Sequence, residues 1–163
     1  GLEILADARA LGLSPDQVLV PCGGGGLTAG VTLALGDAVK VYSVEPRNFD
    51  GMRRSLAAGA PTTAPGTPVS VADSLMSAAP GAITFAVAAP RLQGGLTVSD
   101  GELLIAVSYA LRRLKLVVEP GGVAALAAVL SGRLSGKDRV TVLVLSGGNT
   151  DFATLADAVS RFP

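Results

Sequence analysis

The chain has 163 residues, enough for one domain. With 49% hydrophobic, 16% charged and 4% aromatic residues, it must build an aliphatic core rather than stay disordered. Thirteen Lys and Arg balance thirteen Asp and Glu, which leaves no basic field for nucleic acid or an anionic membrane, and the absence of His excludes Ser–His–Asp hydrolases and His-ligated zinc.

Residues 2–11 carry Leu2, Leu5, Ala6, Ala8 and Leu11 at helical spacing, with Gly12 as the cap. The opening Gly1-Leu2-Glu3 is already helix-like and lacks Met, so a piece of a longer protein is expected. Residues 17–21 form a short buried strand, followed at once by Cys22 and the glycines 23–26. Cys22 is the single cysteine, so no intrachain disulfide forms, and a lone thiol fits a cytoplasmic setting. Residues 27–35 read as a small apolar helix ended by Gly36, and 39–45 as a second strand. Residues 50–58 read as a helix with exposed Arg53 and Arg54, stopped by Gly59. Residues 61–68, rich in Pro and Thr, are loop, and 69–76 lead to a turn at Pro80-Gly81. No run is long and apolar enough for a membrane span.

The second half continues the alternation. Residues 82–89 are helical and 94–98 strand-like. Ser99 with Glu102 three positions on is a capping box, opening a long helix to Leu114. Residues 116–118 are extended, and Glu119-Pro120-Gly121-Gly122 opens a helix over 123–130. Residues 140–145 read as the most plainly buried strand, 146–149 as its C-terminal turn, and Asp151 starts the last helix. Apolar strands alternating with helices predict a single α/β domain over 1–163, with a mostly parallel, Rossmann-like sheet covered on both faces. Ligands in such sheets sit beyond the carboxyl ends of the strands, where the turns 23–26, 45–50 and 146–149 fall.

Four residue groups there could carry chemistry. Gly23, Gly24, Gly25 and Gly26, between a strand and a helix, let backbone N–H groups converge at the positive end of a helix dipole, which suits phosphate. A turn needed only for close helix–strand packing is the plainer alternative. The pattern is neither a P-loop nor a clean Gly-x-Gly-x-x-Gly. Ser146 with Gly147 and Gly148 delivers a hydroxyl to the sheet edge, or serves as a simple cap. Glu119 stands near a helix start. Glu45 and Asp50, in a loop after a strand, could hold a cation through oxygen ligands, or be ordinary solvated charges.

Taken in order, Val20-Pro21-Cys22-Gly23-Gly24-Gly25-Gly26-Leu27, Val44-Glu45-Pro46, Ala72-Asp73, Lys115-Leu116-Val117-Val118-Glu119-Pro120-Gly121-Gly122 and Leu145-Ser146-Gly147-Gly148-Asn149 resemble the threonine/serine dehydratases. These are pyridoxal-phosphate enzymes of the tryptophan-synthase-β-like fold, a family that includes serine racemases. The resemblance covers nearly the whole chain, but only the C-terminal portion of the family's catalytic region. It implies that Gly23 to Gly26 with Leu27 bind the cofactor phosphate. It also implies that Ser146, beside Gly147, meets the pyridine nitrogen, that Glu119 lies near the ring, and that Glu45 is a ligand for a divalent or monovalent cation. The family's further acid, two residues past Phe49, is Gly51 here, with Asp50 next to it, and its Ala-Asp-Gly motif has Ser74 for the Gly. The family's Schiff-base lysine motif is absent, and Lys40, Lys115 and Lys137 stand outside any such motif.

The implied activity is dehydrative deamination of L-threonine or L-serine, a small amino-acid substrate, in a longer parent. The chain alone is expected to be inactive, and to form a homo-oligomer or pair with the missing N-terminal portion. A racemase on the same scaffold is the nearest alternative. A non-catalytic Rossmann-like module holding a phosphate or nucleotide is the other, with Glu45 near the distance at which such modules place a ribose-binding acid.

Overall fold

The structure is a computed structural model and describes residues 1–66 and 69–162. Thr67 and Pro68, in the predicted 61–68 loop, lie outside the described residues. The strand β1 (Gln17–Pro21) is buried along its whole length because it has a neighbour on each side and helices over both faces. It pairs in parallel with β2 (Lys40–Pro46), from Gln17 opposite Lys40 to Pro21 opposite Val44. On its other side it pairs in parallel with β4 (Thr141–Leu143). β3 (Leu92–Val98) joins β2 in parallel, with one irregularity after Val41. Among the described residues the sheet order is β3-β2-β1-β4, the expected α/β class.

The two-residue period of β1 sorts its side chains. Leu19 points into the larger core with Val44 and Val98, under α5 (Asp100–Tyr109), α6 (Ala124–Leu130) and α7 (Phe152–Arg161). Val18 and Val20 point to the opposite face, against α1 (Leu2–Ala10) and α2 (Gly26–Leu35). A third cluster of Cys22, Ala29, Met52, Phe85 and Ala88 ties α2 to α3 (Gly51–Ala58) and α4 (Ala82–Ala88). With so few aromatics, the core is assembled from aliphatic chains that each gain roughly 1.5–3 kcal/mol on burial.

Local signals hold at most boundaries. Gly12, Gly36 and Gly59 adopt positive φ just beyond the helices they end. Ser99 and Glu102 form the full capping box of α5, and Asp151 accepts from the Thr154 N–H at 2.7 Å to start α7. Two expectations are corrected. α5 stops at Tyr109 and continues as a π turn over Ala110–Leu114, closed by Lys115 at φ +61°. The strand expected over 140–145 to be the most buried is three residues long and half-buried, because it lies at the sheet edge. Among the described residues no helix is long and apolar enough to cross a membrane.

Candidate functional site

β1 delivers the chain to the glycine loop at the carboxyl end of the sheet. Cys22 donates its N–H to the Val44 carbonyl at 2.8 Å, the last tie to β2 before the turn. Gly25 is the N-cap of α2 at φ +91°, a conformation that disfavours any side chain. A Cβ there would stand 2.8 Å from Met52 Cε, and one at Gly23 would stand 3.3 Å from Leu75 Cα. Packing therefore accounts for those two glycines. It does not account for Gly26, whose Cβ would meet nothing within 4 Å, or for Gly24, whose Cβ would meet only Ser77 Oγ at 3.7 Å. Among the described residues no protein acceptor meets the N–H groups of Gly23 to Gly26. Unpaired N–H groups at a ten-residue helix's positive end, with open space beside two of them, fit an anionic group of phosphate size. Leu27, half-exposed, follows in the first turn of α2.

A second cluster forms where the 146–149 loop meets the turn before α6. Glu119 donates its N–H to the Gly147 carbonyl at 2.9 Å, and Ser146 donates its N–H to the Gly122 carbonyl at 3.3 Å. The Glu119 carboxylate accepts from the Asn149 N–H at 3.0 Å and from Ser74 Oγ at 2.9 Å. Gly147 and Gly122 are required by close approach. A Cβ on Gly147 would lie 2.5 Å from the Glu119 carboxyl carbon, and one on Gly122 would lie 2.6 Å from the Gly147 oxygen. Ser146 is exposed. The short 3-10 turn Asp73–Leu75 joins the two clusters, touching Gly23 on one side and Glu119 on the other. The structure thus brings Gly23 to Gly26, Glu119, Ser146 and Gly147 to one rim.

Glu45 and Asp50 are engaged at the start of α3. Glu45 is fully buried, and its two oxygens accept the Met52 N–H at 2.7 Å and the Arg53 N–H at 2.9 Å, the unpaired amides at the start of α3. Burial pushes the Glu45 carboxyl up to about 7, against the lowering effect of those two amides. Asp50 is bridged by Arg53 and Arg54. Burial alone would raise it, but the hydrogen bonds from Arg54 and Arg53 outweigh that and hold it below the usual carboxylate range. These carboxylates are committed to backbone amides and guanidinium groups, and among the described residues no three His, Cys, Asp or Glu stand together as a metal site. Cys22 is buried, and its thiol is pushed up to about 12, first by burial and then by Glu45, which leaves it unreactive.

Two residues here escaped the motif reading. Ser74 enters the sequence only as a substitute for Gly, yet its hydroxyl reaches Glu119. Thr84 carries no local signal, because its partner Gly24 is sixty positions away. None of the three lysines stands at the rim. Lys40 begins β2 at the sheet's opposite end, Lys137 precedes β4, and Lys115 donates to the Arg112 carbonyl at 2.8 Å.

The family described as pyridoxal-phosphate dependent enzyme matches residues 1–147. An L-threonine ammonia-lyase of Geobacter sulfurreducens is 36% identical over 99% of this chain and 40% of its own length. A serine racemase of Dictyostelium discoideum is 31% identical over 95% of this chain and 48% of its own. Among solved structures, a T.th. threonine deaminase superposes with a TM-score of 0.85 at 42% identity, over 93% of this chain and 56% of that one. The chain spans about half the length of such relatives.

Proposed function

The chain belongs to the pyridoxal-phosphate dependent enzymes, and on that footing we propose that it is the phosphate- and ring-holding part of a longer lyase. That lyase converts L-threonine to 2-oxobutanoate and ammonia, or L-serine to pyruvate and ammonia. The observation that carries this reading is the open backbone at Gly24 and Gly26, beside N–H groups that no protein acceptor meets among the described residues. It suits the phosphate end of the cofactor, and the likeness to an L-threonine ammonia-lyase supports the reaction.

The bound cofactor supplies an electron sink for charge at the substrate Cα. The chain's own groups have distinct tasks. Gly23 to Gly26 hold the phosphate through N–H donors and the dipole of α2, so no basic side chain is needed there. Ser146 would present a neutral hydroxyl to the ring nitrogen, and a hydroxyl does not enforce protonation as a carboxylate would. A milder sink suits loss of a β-hydroxyl over wider carbanion chemistry. Glu119 is clamped by Ser74 Oγ and the Asn149 N–H, which would hold its carboxyl group beside that ring. The amine that attaches the cofactor is supplied from outside Lys40, Lys115 and Lys137.

The test assays the longer protein for 2-oxo acid and ammonia from L-threonine and L-serine. Equimolar release of both supports the reading. Formation of D-serine without ammonia favours racemisation, the second reading, which the likeness to a serine racemase keeps in view. Activity on neither substrate overturns both.

A further inference from the structure

We propose that Thr84 is a positioning residue for the glycine loop: it holds the Gly24–Gly25 peptide in the one orientation that turns the Gly25 N–H toward a bound phosphate. The inference rests on the phosphate reading given above.

The Gly24–Gly25 peptide has a glycine on each side, so no side chain hinders its rotation. Rotated by half a turn, it would direct the Gly24 carbonyl oxygen at the anion and the Gly25 N–H away from it, exchanging attraction for repulsion. Two donors from the start of α4 oppose that rotation. The Gly24 oxygen accepts from the Gly81 N–H at 3.1 Å and from Thr84 Oγ1 at 2.6 Å. In a trans peptide the C=O and the following N–H point in opposite directions. Pinning the Gly24 oxygen against α4 therefore points the Gly25 N–H away from α4, where no protein acceptor meets it among the described residues.

The Thr84 hydroxyl also lies 2.9 Å from the Gly81 carbonyl, but it has one hydrogen, and the Gly24 oxygen is nearer. α4 is itself anchored, since Phe85 and Ala88 are buried with Ala29 of α2 in one cluster. The hydroxyl is thus held on a packed element rather than on a loop. Gly25 completes the arrangement, because any Cβ there would stand 3.0 Å from Thr84 Oγ1.

The test titrates inorganic phosphate, pyridoxal phosphate and phosphate-free pyridoxal into the ¹⁵N-labelled chain, following the amide shifts of residues 23–27. It compares the unaltered chain with Thr84→Val, which keeps the shape and loses the donor, and with Thr84→Ser, which restores the donor. Thr84→Ala serves as a second donor-free variant should the valine crowd Gly25. The donor-free variant is expected to weaken inorganic phosphate and pyridoxal phosphate by about tenfold, with pyridoxal unchanged and the serine variant back within about twofold. Equal phosphate affinity in unaltered and donor-free chains overturns the role of Thr84 while leaving the phosphate loop standing. Equal loss for pyridoxal and its phosphate ester also overturns it, as general loosening. No response of the unaltered chain to phosphate removes the loop reading itself, and this inference with it.

Discussion

Glu45 lies buried beneath the first turn of α3, and its cost and its use are both electrostatic. The carboxyl titrates near 7 in the folded chain, against 4.5 as its ordinary value. Between those values the unfolded chain loses the proton while the folded chain keeps it. Stability from this group is therefore complete below about pH 4.5 and falls as pH rises toward 7, by on the order of 3 kcal/mol. Asp50 and Glu102, both held below their ordinary values, give the opposite slope, but only at more acid pH. Urea unfolding of Glu45→Gln at pH 5 and pH 7 should show most of the falling slope removed; an unchanged slope refutes this assignment. The glycine loop offers a second residue-scale test. A Cβ at Gly24 makes only ordinary contact, so Gly24→Ala should leave stability within about 0.5 kcal/mol. It should nonetheless weaken phosphate binding about tenfold, by narrowing the approach to the N–H groups. Denaturant curves and phosphate titration of the same sample check both halves.

The elements show where local pattern suffices and where it does not. Ser99 and Glu102 satisfy each other's backbone amides, and that reciprocal bonding is written in four consecutive residues. Ser99→Ala should cost about 1 kcal/mol in urea unfolding and Ser99→Gly only a few tenths, since glycine retains the cap's backbone conformation. Equal losses would show that the cap matters less than the packing of Leu103 behind it. β4 is the opposite case. Its apolar run is as continuous as that of β1, yet β1 is fully buried and β4 half-buried. Hydrophobicity reports that a segment wants cover, whereas the number of neighbours is set by the sheet order. The π turn at Ala110–Leu114 likewise follows a helical pattern whose end no capping residue marks.

For the whole molecule, the rim joins the glycine loop, a hydroxyl and a carboxylate, but none of the three lysines. With added pyridoxal phosphate, the 163-residue chain should release no 2-oxobutanoate from L-threonine in a coupled assay. Turnover together with stoichiometric borohydride labelling of Lys40, Lys115 or Lys137 would overturn that expectation. The parallel α/β class, the caps, the glycine loop and the Ser146 turn were all legible in the chain, because each depends on residues within a few positions of one another. The burial of Glu45 under α3, the clamp of Ser74 on Glu119 and the grip of Thr84 on Gly24 were not. Each joins groups brought together only by the crossovers that stack α3, α4 and the 3-10 turn over the sheet's carboxyl end. Glu45 shows the difference most plainly. As a residue type in a loop it suited a cation, and only its position against two unpaired amides decided that it would cap a helix instead.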